Sequence, residues 1–170
     1  MNVHQKRARA KKISSNKLKL RNQLWPKLDE KGLWLRDTHQ GYTTIPRPMP
    51  VILRIMDDLS NGKPVSATYF ALWCRVWDEC LVTITNPREM AFEVGFTGQR
   101  AEATWASRMK ILADLGFIDI KPGASGDYNY VLVWNPFKII KKLHAEGKVQ
   151  EQKYAALLDR AQNVGADDLD

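Results

Sequence analysis

The sequence predicts a mostly helical α+β fold. Apolar residues recur at spacings of three and four along most of the chain, and two alternating stretches rich in β-branched and aromatic residues flank a Pro/Gly/Ser tip between residues 117 and 134. Asn, Pro and Gly fall between these segments, where helices begin and end. A chain of 170 residues with 44% hydrophobic residues buries one good core, and its length demands no second full domain.

The basic charge sits at one end. Residues 1–28 hold nine Lys or Arg, among them Lys6, Arg7, Arg9, Lys11 and Lys12, and no acid. The remaining 17 basic residues face 19 acidic ones, so the chain beyond residue 28 has a net charge of −2 and the overall +7 belongs to the arm. Ser14, Ser15 and Asn16 interrupt any periodicity, which predicts disorder over residues 1–16 and a short helical stretch from Lys17 that ends before Pro26. The expected organisation is a basic, largely disordered arm at 1–28, a body with an N-terminal extension at 29–136, and C-terminal helices with an acidic tail at 137–170. No run approaches the roughly 18 apolar residues of a membrane span, and the arm has no apolar stretch fit for a signal peptide; a cytoplasmic protein without a membrane partner is expected.

Residues 32–48 set Trp34, Tyr42 and Ile45 among Gly41, Thr43, Thr44, Pro46 and Pro48, an extended segment pinned by aromatics against the core. A helix starts near Pro48 to Pro50, since proline suits a first turn. It puts Ile52, Ile55, Met56 and Leu59 on one side and stops at Asn61-Gly62. Ser66 is the expected N-cap of the next helix, with Tyr69, Phe70, Trp73, Val76, Trp77 and Cys80 on one wide core-facing stripe. Leu81–Thr85 has strand composition. Asn86-Pro87-Arg88-Glu89 combines a capping Asn, a proline at the first helical position and a Glu three residues after the cap, and the helix it starts carries Met90, Ala91, Phe92 and Val94 to a turn at Gly95. Thr97 is the expected cap of a longer helix from about Gly98 to Leu115, ended by Gly116.

Phe117–Lys121 and Tyr128–Trp134 then read as the strands of a hairpin, with Pro122–Asp127 as a flexible loop. After Asn135-Pro136, Phe137–His144 makes an amphipathic turn or two that Gly147 breaks. Val149–Val164 sets Tyr154, Leu157, Leu158 and Ala161 on one stripe, which serves either its own domain or a twin in a homodimer. Asp167, Asp168 and Asp170 are expected to be solvated.

A helix, a tight turn, a longer helix and a hairpin, in that order over Asn86–Asn135, spell a winged helix-turn-helix, a unit that carries one helix into a nucleic-acid groove. At 100° per residue the longer helix gathers Ala101, Trp105, Met109, Leu112 and Leu115 on the core side. The opposite side holds Gln99, Arg100, Ala103, Ser107 and Lys110, with Thr104 at its edge and Thr97 at the helix start. Ala103 and Ser107 are small enough to permit approach to base edges, and Gln99 and Arg100 can hydrogen-bond to adenine and guanine. An ordinary solvated face has a similar composition. Arg88 at the start of the first helix and Lys121, Ser125 and Asn129 on the hairpin are the candidate sugar-phosphate contacts; a surface hairpin that touches nothing is the alternative.

The segment Ile84–Trp134, above all Arg108-Met109-Lys110-Ile111-Leu112-Ala113-Asp114-Leu115-Gly116-Phe117-Ile118, resembles the winged-helix domains of bacterial transcriptional regulators and plasmid replication initiators. In those families a long recognition helix ends in a Leu-Gly-hydrophobic step into the wing. The resemblance implies base contacts from Gln99, Arg100 and their neighbours; Glu102 departs from a purely basic reader.

The arm adds counterion release, a salt slope of about −0.9 for each phosphate neutralised, and it can track a minor groove beside the bound helix. A basic tail that binds any polyanion, RNA included, is the alternative. Cys74 and Cys80 are six apart on a predicted helix and no Cys or His pair completes a zinc set, so both are expected to be reduced packing residues, and neither metal nor other cofactor is expected. The hairpin glycines lack the Gly-Lys-Ser/Thr of a phosphate loop, Asp57-Asp58 splay apart on a helix, and no nucleophile elbow occurs; an enzyme is not expected. The leading expectation is sequence-selective binding of double-stranded DNA, as a transcriptional regulator or a plasmid-type replication or maintenance factor. The rivals are an RNA-binding or ribonucleoprotein accessory protein led by the arm, and a protein-protein adaptor on the same scaffold.

Overall fold

The structure, a computed structural model, describes residues 3–169 and divides into two compact units, Met1–Tyr42 and Thr43–Asp170. The first unit begins with helix α1 (Val3–Leu24), where composition predicts disorder over residues 1–16. No Gly or Pro occurs before Pro26, and Ala, Leu, Arg, Lys and Gln are strong helix formers, so backbone preference carries the helix across Ser14, Ser15 and Asn16. Ile13, Leu18, Leu20 and Leu24 are all exposed, which makes this a helix of propensity rather than of packing. The Asp29 carboxylate accepts the Lys31 N–H at 3.0 Å to start a 3₁₀ turn at Glu30–Gly32, and Arg21 pairs with Glu30. Beyond a second 3₁₀ turn, Arg36–Thr38, the Trp34 indole stacks on His39 at 5.4 Å and meets Tyr42 edge-on at 5.7 Å. These local ties lie within the first unit, which runs on to Tyr42.

The second unit packs six helices and one sheet around a single core. Helix α2 (Met49–Leu59) buries Met49, Ile52, Ile55 and Met56, as its spacing predicts. Helix α3 (Ser66–Trp73) starts at Ser66, but the Ser66 side chain does not cap it. The Asp57 carboxylate of α2 accepts the backbone N–H groups of Val65 and Ser66 at 2.7 and 2.8 Å, a cap from eight residues upstream that no local motif announces. The stripe expected to run on to Cys80 is cut short at Trp73, because the chain must leave the helix to deliver Leu81 to the sheet. Trp77 is consequently 80% exposed rather than buried. Cys74 and Cys80 are likewise exposed, not packing residues, and Cys80 sits at φ +55° in the bend.

Strand β1 (Leu81–Thr83) leads into α4 (Pro87–Glu93) and α5 (Ala101–Asp114), which pack on each other. Strands β2 (Ile118–Gly123) and β3 (Gly126–Val133) follow, and β3 lies between its partners in the order β1-β3-β2, all antiparallel. Helix α6 (Pro136–Ala145) is capped by the Asn135 side chain, which accepts the Phe137 N–H at 3.0 Å. Helix α7 (Glu151–Val164) buries Leu157 and Ala161 against its own unit, packing on α2 and α6. The Lys153 ammonium meets Asp58 at 2.6 Å and the His144 ring stacks on Tyr154 at 3.9 Å. The C-terminal helices thus share the body's core rather than forming a separate region. The acidic end is also engaged: Asp168 accepts a hydrogen bond from Asn135 at 3.1 Å, and Leu169 is buried. Asp170 lies outside the described residues. No described helix is long and apolar enough to cross a membrane.

Trp105 is the largest fully buried side chain, edge-on to Tyr128 at a centroid distance of 5.2 Å. Trp105→Ala is expected to lower stability by about 3–5 kcal/mol, the cost of truncating a buried aromatic, measured by chemical denaturation. Asp57→Ala, which strips the first turn of α3 of its acceptor, is expected to cost about 1–2 kcal/mol in the same assay.

Candidate nucleic-acid interface

The candidate interface is built around the turn between α4 and α5. Asn86 starts α4 as its motif predicts, its side chain accepting the Glu89 N–H at 3.2 Å with Pro87 at the first position. Gly95 then takes φ +85° as expected, and the Phe96 N–H returns to the Ala91 carbonyl at 2.9 Å. Gly98 takes φ +79°, a left-handed conformation that cannot belong to a right-handed helix. Helix α5 therefore starts at Ala101, not Gly98. Thr97 precedes it in an exposed loop and is not its cap, Gln99 lies in the turn, and Arg100 occupies the N-cap position without a capping side-chain bond. The far end follows the sequence closely: Gly116 is at φ +84° and the Phe117 N–H reaches back to the Leu112 carbonyl at 3.0 Å, closing a Schellman cap.

Trp105, Met109 and Leu112 bury the inner face of α5. On the other side Gln99, Arg100, Glu102, Ala103 and Lys110 are exposed, and Thr104 and Ser107 are half-buried. The helix-wheel face is thus present, shifted so that its two long hydrogen-bonding side chains stand on the turn that leads into the helix. Two contacts that the wheel does not reveal hold this geometry. The Arg108 guanidinium lies over the Phe96 ring at 5.7 Å, tying the middle of α5 to the turn. The Tyr128 hydroxyl of β3 donates to the Ala106 carbonyl at 3.4 Å, tying the hairpin to the same helix.

The hairpin is tighter than its composition suggests. Only Ala124 and Ser125 lie between the strands, and a register irregularity between Lys121 and Gly123 accommodates Pro122 on the edge strand. Gly123 is required by space: a Cβ there would stand 2.1 Å from the Asn129 side-chain oxygen. Asn129, expected from sequence to contact a nucleic-acid backbone, is instead 3% exposed. Its amide donates to the Ile84 carbonyl at 2.9 Å and its oxygen accepts the Ser125 N–H at 3.4 Å, so it is committed to the fold. Lys121 is exposed on β2 with Asp119 3.8 Å away, Ser125 is half-buried at the tip, and Arg88 is exposed on α4.

Charge among these elements is mixed. The exposed Arg88, Arg100, Lys110 and Lys121 are accompanied by the exposed Glu102, Asp114 and Asp119, so the concentrated positive charge lies in the other unit, on α1. Lys11 and Lys12 are exposed there, and the side chains of Lys6, Arg7 and Arg9 lie outside the described residues. No family model, curated protein or solved structure matches this chain.

The α4 end of the turn is anchored by an ion pair that no local sequence motif announces. Arg75, just beyond α3, donates both terminal nitrogens to the Glu93 carboxylate at 2.5 Å each. The hydrogen bonds from Arg75 hold the Glu93 carboxyl below its ordinary range, and the same pairing raises Arg75. A carboxylate whose pKa is depressed on folding stabilises fully above its unfolded pKa and loses that contribution as pH falls through its folded value. Stability is therefore expected to fall on acidification below the usual Glu range, and Glu93→Gln to flatten that part of the profile, measured by denaturation between pH 3 and pH 7, a window set by the ordinary Glu value of about 4.3.

Proposed function

We propose that the chain binds double-stranded DNA through a winged helix-turn-helix, with α5 entering the major groove, the β2–β3 hairpin beside it as the wing, and α1 holding the phosphate backbone. The observation that carries this reading is the arrangement of Leu81–Val133. Strand β1 leads into two helices joined by a tight glycine turn, and the returning hairpin pairs with β1 and is tethered to α5 through Tyr128. On the outer face of α5 the small Ala103, exposed, and Ser107, half-buried, lie between Arg100 and Lys110, so the middle of the face permits approach to base edges. Wing contacts narrow to Lys121 and Ser125, with Arg88 at the start of α4, since Asn129 is consumed internally. Division of labour follows from the charge: α1 supplies affinity without choice, and the mixed face of α5 supplies choice with little net charge. A transcriptional regulator or a plasmid-type replication or maintenance factor fits this division, and no catalytic step is invoked.

The test is selection from a fragmented genomic DNA library, with total RNA as competitor. The full chain is expected to retain a shared sequence motif. Replacing Lys6, Arg7, Arg9, Lys11 and Lys12 by Gln should keep the motif while flattening log K against log salt by about 0.9 per lost phosphate contact. Arg100→Ala should relax the motif at one position, at a cost of about 1–3 kcal/mol. Retention of RNA over DNA, the absence of any motif, or an unchanged motif in Arg100→Ala would overturn the reading.

A further inference from the structure

A cavity of about 470 Å³ opens in the second unit, away from the outer face of α5, between the loop before α2, the end of α3, the junction of β3 with α6, and the residues that follow α7. Its volume lies in the range of small-molecule sites. Three aromatic residues, Trp73, Trp134 and Phe137, line it together with prolines and valines. Such a wall takes a flat apolar body, because ring faces and edges offer dispersion and quadrupole contacts without asking for hydrogen bonds. The polar groups at the rim narrow the choice. The Trp73 Nε1–H is already donated to the Thr44 carbonyl at 2.9 Å, and the Asp168 carboxylate already accepts from Asn135 at 3.1 Å. Arg47 remains: it lines the cavity, is exposed, and among the described residues has no acidic partner. A guanidinium is a planar fork of donors matched to a carboxylate.

We propose that this cavity is a small-molecule site for a planar aromatic carboxylate, its ring system between the indoles and the Phe137 ring and its carboxylate on Arg47. Asp168 also lines the cavity, and its carboxylate disfavours any negative charge on the ligand beyond the one that Arg47 neutralises. The proposal does not depend on the DNA-binding reading and is tested without nucleic acid.

The probes are 1-naphthoate and its uncharged isostere 1-naphthamide, titrated calorimetrically into the full chain. Naphthoate is expected to bind one to one, and the amide about tenfold more weakly, the loss of one charge-assisted contact. Arg47→Gln should bring naphthoate down to the affinity of the amide and leave the amide unchanged, which separates this site from adventitious attraction of the acid to α1. Val164→Phe, which fills the cavity from the end of α7, should abolish both; an unaltered thermal melt certifies its fold, and Arg47→Gln at an exposed position decides the matter if Val164→Phe unfolds. No saturable binding of naphthoate, equal affinity for acid and amide, or an unaltered naphthoate affinity in Arg47→Gln would overturn the proposal.

Discussion

Asn129 ties the two ends of the segment that carries the candidate interface. Its backbone carbonyl accepts the Ile84 N–H at 2.8 Å, its side-chain amide donates to the Ile84 carbonyl at 2.9 Å, and both residues are buried. A buried carbonyl left without a donor is costly, so this doubled link fixes where β1 ends relative to β3. Everything between them, α4, the glycine turn, α5 and β2, is held in a closed loop of chain. The same side chain receives the Ser125 N–H and leaves room for nothing larger than Gly123. Hairpin tip and strand end are thus set by one residue.

Within that loop the position of α5 follows from contacts made on three sides. Trp105, Met109 and Leu112 anchor it in the core, Tyr128 clamps it to the hairpin, and Arg108 over Phe96 clamps it to the turn. The Arg75–Glu93 pair does the corresponding work for α4 from the end of α3. These are restraints on rigid-body placement. The proposed entry of α5 into a groove would depend on them, because a binding geometry is only as well defined as the contacts that hold its element in place.

Local grammar is where the sequence reads best. Asn86 with Pro87, Asn135 with Pro136, and the Gly95 and Gly116 turns all behave as their types demand, since each depends on neighbouring residues and intrinsic φ preferences. The burial stripes of α2 and α5 are legible for a related reason: one face of a regular helix repeats at fixed spacing. The stripe read through Trp77 and Cys80 fails because periodicity does not reveal where a helix must stop to reach a sheet. The start of α5 lies three residues beyond the one composition predicts, because Gly98 fits a helix start in composition and only its left-handed φ excludes it. Composition marks Asn129 as available because a polar residue near a loop usually is; its burial and its bond to the Ile84 carbonyl commit it to the fold.

The sequence alone determined the mixed helical and strand class, the order of elements from Leu81 to Val133, the core face of α5 and the concentration of positive charge in residues 1–28. Each follows from composition or from a period of a few residues. Only the tertiary structure decided that Asp57 caps α3, that Arg75 grips Glu93, that Asn129 is structural, that α7 spends its stripe on its own unit, and that Arg47 borders an aromatic-walled cavity. These pairings join residues that are mostly distant along the chain, and no local propensity encodes a distance between elements; it is fixed when the core closes and each buried polar group must find a partner.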